Sequence, residues 1–225
     1  MESYATEEQQ VEAIKKWFKE NGASILFTIA IVLSLVFGWQ AWTRSQEDTQ
    51  QTASVLYQDM IEALVLAKNP TETEKQSSTV HHLGEQLIEE YSDLQYAHFA
   101  ALAIAKLEVE KGNFPAAVDR LKWVLDQKAD KPLENVVKVR LARVLTEQKK
   151  YDEALVLLAD PLDESIRVLA EEVKGDIYLQ MGETYDARMA YQRSIDVATS
   201  VGLQQDGLVQ MKLDDLAVSP ELAVE

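Results

Sequence analysis

Few residues in this chain are equipped for chemistry. Cysteine is absent from all 225 residues, which removes thiol nucleophiles, thiolate–zinc sites and disulfides together. Three histidines remain: His81, His82 and His98. His81 has Glu85 one helical turn on and the two could share a metal, but two ligands make a poor site. His82 and His98 read as surface or groove residues. Carboxylate pairs such as Glu89-Glu90 and Glu171-Glu172 have the groups for acid–base work, yet acidic helix surfaces supply such neighbours anyway. No phosphate-binding glycine loop, G-x-S-x-G elbow or H-E-x-x-H zinc motif occurs. The chain reads as a non-enzyme with no catalytic residue, metal or cofactor.

A formal charge of −16 argues against a nucleic-acid partner, because phosphate repels an acidic surface. Residues 1–44 hold four basic against five acidic side chains, so nearly all of the excess lies beyond them. Only 8 glycines and 5 prolines punctuate the sequence, too few for the many turns of a sheet protein. An all-α fold is expected.

Three segments align as repeats: AIAKLEVEKGNFPAAVDRL, VRLARVLTEQKKYDEALVLL and EVKGDIYLQMGETYDARMAY. In each, a small residue (Ala105, Ala142, Gly175) precedes a turn at Lys111-Gly112, Lys149-Lys150 or Met181-Gly182. Ala117, Ala154 or Ala187 follows, and four residues on comes Leu121, Leu158 or Tyr191. The equivalent alanines are 37 and 33 apart, close to the tetratricopeptide period of about 34. Small residues let antiparallel helices approach, and the larger residue packs into the next repeat. The expected architecture is a tetratricopeptide-like right-handed helical solenoid. Helices at 53–68 and 76–91 would cap one end, with residues 69–79 as a loop in which Pro70 and Thr71 mark a stop and a start. Residues 204–216 would cap the other end with Leu208, Met211 and Leu216 inward, and the tail AVSPELAVE would fray.

Such arrays bind partners on the surface formed by each repeat's first helix. By register that surface carries Phe99, Leu102 and Lys106 from repeat one, Val139 and Arg143 from repeat two, and Glu172 and Asp176 from repeat three. This mixed apolar and charged strip suits an extended peptide or a partner helix.

The segment from Asn21 to Thr43 is uncharged over 23 residues. Its ten large apolar residues favour membrane insertion by about 3 to 6 kcal/mol. Ala23 to Trp42 is the expected span, with Trp17 near one end and Trp39 and Trp42 at the other. The run is longer than a signal-peptide core and exits through bulky residues, which favours an uncleaved anchor. Lys15, Lys16 and Lys19 precede it, whereas only Arg44 follows closely. The positive-inside rule then puts the N-terminus in the cytoplasm and the larger part outside, in the periplasm of a Gram-negative cell. Val11, Ile14, Trp17 and Phe18 recur at helical spacing, which fits either a short amphipathic helix on the inner surface or a plain extension of the span. Ser34 and Gly38 form a small-xxx-small pair for contact with another membrane helix. The expected division is a cytoplasmic segment at 1–20, a transmembrane helix at 21–43 and a periplasmic repeat domain at 44–225.

The stretches QVEAIKKWFKENG before the span, GWQAWTRSQ after it, LEVEKGNFPAAVDRL, VRLARVLTEQKKYDEAL and the late QMKLDDL together resemble the YfgM family of Gram-negative inner-membrane proteins. The resemblance covers nearly the whole chain. It implies a non-enzymatic ancillary subunit of the Sec translocon that associates with SecYEG and with the membrane-anchored periplasmic chaperone PpiD. It also implies a role in passing emerging secretory polypeptides to periplasmic chaperones, and in tuning a stress-response regulator. The alternative expectation is a scaffold or regulatory subunit of another inner-membrane envelope complex.

Overall fold

The computed structural model describes residues 7–68, 73–159, 162–203 and 207–218. Among these residues the regular structure is entirely helical: α1 (Glu7–Leu66), α2 (Thr73–Glu90), α3 (Gln95–Glu110), α4 (Phe114–Asp126), α5 (Lys131–Glu147), α6 (Tyr151–Leu157), α7 (Glu164–Met181), α8 (Thr184–Ser200) and α9 (Leu208–Val218). The chain divides into two compact units at Thr52/Ala53, within α1.

The first unit is helical wherever it is described. Its apolar side chains are exposed on every side, including Leu26, Phe27, Leu35, Phe37 and Trp39. An apolar helix with no protein against it is stable where lipid replaces water, because its backbone bonds are satisfied internally. One helix, described over Gln10–Leu66, is long and apolar enough to cross a membrane. The polar hydroxyls are absorbed locally: Thr28 and Ser34 donate to the carbonyls of Ser24 and Ala30 at 2.8 Å each.

The second unit is a row of helical hairpins. Helices α3/α4, α5/α6 and α7/α8 are the three repeats, preceded by the end of α1 with α2 and followed by α9. The alanines that mark the repeats, Ala117, Ala154 and Ala187, are fully buried. One core runs from Ile88 through α3–α6 to Ile177. A second joins Ala53, Met60 and Ala63 of α1 to Val80 and Leu87 of α2 and Ala100 of α3. A third joins Ala187 and Tyr191 of α8 to Val209 and Leu213 of α9.

Each repeat turns by the same device. The first helix ends in a left-handed residue, Gly112 (φ 76°), Lys149 (φ 60°) or Gly182 (φ 81°). The next amide then reaches back to the carbonyl five residues earlier: Asn113 to Glu108, Lys150 to Leu145 and Glu183 to Tyr178, at 2.8–2.9 Å. This is the Schellman arrangement, which satisfies carbonyls that a helix end leaves open. A fourth copy, Gly202 with Leu203 bonded to Ala198 at 2.9 Å, ends α8. Repeat two therefore keeps the turn without the glycine and accepts a left-handed lysine, which costs about 1–2 kcal/mol. Lys149→Gly should raise the stability of the chain by about 0.5–1 kcal/mol after the extra freedom of glycine in the unfolded state is subtracted. Urea unfolding of the full-length protein in detergent, followed by circular dichroism, measures it; a loss of stability would contradict this account of the turn.

Two expectations need correction. Residues 73–79 are not loop but the start of α2, where Ser77 and Val80 are buried; the polar composition of TEKQSST concealed a helix held by tertiary packing. Pro70 and Thr71 lie outside the described residues. The polar run after the span, residues 43–51, is helical throughout. In α9 the buried residues are Val209 and Leu213, with Leu216 partly buried beside them, whereas Leu208 and Met211 are exposed. Gly207 (φ 80°) immediately precedes this helix. The tail beyond residue 218 lies outside the described residues.

Candidate functional site

Two clefts open between the first helices of the repeats, and they share residues. The first, of about 420 Å³, lies between α3 and α5 and has an apolar floor of Leu102, Ala105, Val109, Leu121 and Val144. Lys106, Arg140 and Arg143 stand on its rim with Glu110. The second, of about 530 Å³, lies between α5 and α7 and is lined by Phe114, Glu147, Val173, Asp176, Leu179 and Gln180 among others. Val109, Arg143 and Val144 line both, so the two form one groove across three repeats. The small residues Ala105, Ala142 and Gly175 are buried in the packing of the repeats, and Ala105 also reaches the floor of the groove.

Of the residues singled out by register, Leu102, Lys106, Arg143 and Asp176 line this groove. Val139 is buried in the main core. Phe99 stacks its ring 6.1 Å from that of Tyr57 on α1. Glu172 sits beside the groove, its side chain 14% exposed and held by Lys212 of α9 at 2.9 Å. The groove also contains Arg140, Val109, Val144 and Leu179, which sequence reasoning passed over. Arg140, Arg143 and Val144 stand at i, i+3 and i+4 on one helix face, a spacing that places all three together.

Charge in the groove is unevenly answered. Lys212 donates to Glu172 and also to Asp176 at 2.8 and 3.0 Å. Burial alone would depress the Lys212 ammonium, but these two carboxylates outweigh it and raise its pKa. The Tyr191 hydroxyl donates to Asp176 at 2.7 Å; burial, then this bond to an anion, pushes the phenol well above its ordinary value. The acidic end of the groove is thus already occupied by groups of the chain itself. Arg143 lies only 3.9 Å from Glu172, and its side chain is half exposed.

The histidines are engaged elsewhere. His81 bridges Glu108 at 2.7 Å and Glu85 at 3.8 Å. Glu85 also receives Arg120, and Glu108 receives Asn113 and lies 3.7 Å from Lys111. Among the described residues no group of three or more potential ligands is placed to hold a metal ion. His82 is exposed. His98, expected at the surface or in the groove, is instead buried between helices, 5.9 Å from the edge-on ring of Trp123. Neither of its ring nitrogens has a hydrogen-bond partner. Of the paired carboxylates, Glu171 is buried and takes hydrogen bonds from Lys174 (2.6 Å) and Arg193 (2.7 Å).

These buried groups fix the direction of the pH dependence. Burial lowers the pKa of His98 from 6.5, against a smaller pull upward from Asp130. Burial would raise Glu108 and Glu171, but their hydrogen bonds and nearby cations outweigh it and both fall below 4.5. In every case the folded value lies below the unfolded one. The stabilisation is therefore present above the unfolded value and is lost as pH falls. The urea midpoint should drop between pH 7.5 and pH 5.5 as His98 charges in the unfolded state, and drop further below about pH 4.5 as the carboxylates protonate. His98→Phe should flatten the upper part of that curve and leave the lower part in place.

Comparison with known proteins places this architecture. The family model for the tetratricopeptide repeat-like domain matches residues 15–218. A curated relative from Escherichia coli, named ancillary SecYEG translocon subunit, is 28% identical over 97% of this chain and 100% of its own length. Relatives of the same name from Haemophilus influenzae and Aggregatibacter actinomycetemcomitans are 30% and 31% identical, each over 93% of this chain and 97% of theirs. No solved structure matches the chain. The alignments run through the apolar helix and all three hairpins, and the chain belongs to the tetratricopeptide repeat-like family and, within it, to the YfgM family.

Proposed function

We propose that this chain is a non-enzymatic, single-pass ancillary subunit of the Sec translocon, whose repeat domain links the channel to a periplasmic chaperone and to emerging secretory proteins. The observation that carries this reading is the end-to-end match to relatives named ancillary SecYEG translocon subunit, in which span and repeats align together. In this reading residues 1–20 are cytoplasmic, 21–43 cross the inner membrane and 44–225 are periplasmic. The three lysines before the span and the single arginine after it support that direction. The span keeps the domain beside SecYEG, with Ser34 and Gly38 offering a small-residue face to a neighbouring membrane helix. The groove between α3, α5 and α7 receives a segment of a membrane-anchored chaperone of the PpiD kind or of a nascent polypeptide.

The test is photo-crosslinking in living cells, with a photoreactive amino acid at Lys106, Arg143 or Leu179 and, as control, at exposed Lys122 of α4 outside the groove. Groove positions should yield adducts with translocon-associated chaperones or secretory clients, and Lys122 should not. Detergent pull-downs lacking both SecYEG and any periplasmic chaperone would sink the proposal. The exposed Val11, Ile14, Trp17 and Phe18 favour a second reading, in which the cytoplasmic segment serves a regulatory envelope complex. Deleting residues 1–20 should then abolish function, whereas a translocon adaptor should retain most of it.

A further inference from the structure

Resting on the reading that the groove receives another protein, we infer that its occupant is an acidic, leucine-rich type of peptide segment, gripped by Arg140 and Arg143. The chain as a whole carries −16, so an average strip of its surface repels such a segment. The groove departs from that average. Glu110 and Glu147 line it near the cations; at the repeat-three end Asp176 takes Lys212 at 2.8 Å and the Tyr191 hydroxyl at 2.7 Å, and Glu172 beside the groove takes Lys212 at 2.9 Å. The cations at the other end are held loosely or not at all. Arg140 is exposed and forms no ion pair among the described residues. Among the described residues the one carboxylate within 4 Å of Arg143, at 3.9 Å, belongs to the Glu172 that Lys212 already holds more closely. Lys106, opposite them, lies 3.6 Å from Glu110 with both side chains more than half exposed.

The three cations surround an apolar floor of Leu102, Val109, Leu121 and Val144. A planar guanidinium takes a carboxylate through two parallel hydrogen bonds, and two arginines one helical turn apart present two such forks along one line. An exposed ion pair by itself contributes little. A peptide that covers the floor with leucine-like side chains excludes water from the rim, and the same pairs then gain strength. The surface therefore selects for both features at once: apolar residues for the floor and carboxylates one step away for the rim.

Fluorescence polarisation with the full-length protein in non-ionic detergent tests this. The probe is a labelled peptide of about a dozen residues in which glutamates alternate with leucines. Two comparators carry lysine in place of every glutamate, or serine in place of every leucine. The glutamate–leucine peptide should bind at least about tenfold more tightly than either comparator, and added salt should weaken it. The double variant R140S/R143S should lose about tenfold or more in affinity, R140K/R143K should lose less, and Lys122→Ser should change nothing. Both arginines are exposed, so an unchanged circular-dichroism melt is expected of the variants. Equal binding of the lysine peptide, equal binding of the leucine-free peptide, or full affinity in R140S/R143S overturns the inference. Crosslinks from Lys106 and Arg143 to partner proteins, combined with indifference to peptide charge, would remove this inference alone. Absence of those crosslinks would remove the groove reading.

Discussion

Gly175→Ala should destabilise the repeat domain by about 2–3 kcal/mol, although the same change in an ordinary helix interior stabilises by about 0.5–1 kcal/mol. The reason is steric. A Cβ at Gly175 would stand 2.3, 2.4 and 2.8 Å from Cε1, Cδ1 and Cζ of Tyr191. The ring cannot retreat easily. It is fully buried against α9, and its hydroxyl is tied to Asp176 at 2.7 Å. The other repeats show the compensation: where the small residue is Ala105 or Ala142, its partner is Leu121 or Leu158, and repeat three combines the larger tyrosine with the smaller glycine. Tyr191→Leu should therefore reduce the cost of Gly175→Ala, giving a favourable coupling of about 1 kcal/mol in a double-mutant cycle. Gly84→Ala is a useful contrast. Its nearest obstacle, at 2.8 Å, is the terminal methyl of Ile104, which can turn aside, so its penalty should be smaller. Urea unfolding of the full-length protein in detergent decides the matter; a gain in stability from Gly175→Ala would show that Tyr191 is free to move.

Met60→Ala should cost about 3 kcal/mol, within the range for buried large-to-small changes. Met60 lies on α1, the helix that also carries the apolar segment, yet it is fully buried in a core with Val80 and Leu87 of α2 and Ala100 of α3. The last turns of α1 are in this respect part of the repeat domain, covering the open end of the solenoid where a first repeat would otherwise expose its apolar face. Val55→Ala, on the same helix but half exposed, should change stability by less than about 0.5 kcal/mol. If the two substitutions have equal and small effects on the urea midpoint, α1 does not cap the domain. A loss confined to Met60→Ala also predicts more rapid amide exchange in α2 and α3 than in α7 and α8, because the damage begins at the capped end.

Much of the fold could be read directly from residue types. Twenty-three uncharged residues can only be helix in lipid, since no other local structure satisfies its own backbone there. Small residues at 105, 142 and 175, alanines at 117, 154 and 187, and turns between them specify helical hairpins, because helix contact distance is set by side-chain size. Left-handed Lys149 was legible only in part. The spacing demanded a turn at that point, but nothing local announced that lysine would adopt it.

The groove divides in the same way. Register alone brought Leu102, Lys106, Arg143 and Asp176 to the first helices of the repeats. It could not separate Val139, which is buried in the core, from Arg140 one residue on, which stands on the rim, because packing by the neighbouring helices decides which edge of the first helix is covered. Nor could it foresee that Lys212, 36 residues after Asp176, would return to neutralise the acidic end. The sequence by itself determined the apolar helix, the repeats and the acidic balance, all properties of local composition and period. Only the tertiary structure decided the burial of His98, the face that α9 presents and the charge left open in the groove, because each depends on which distant side chain arrives to meet it.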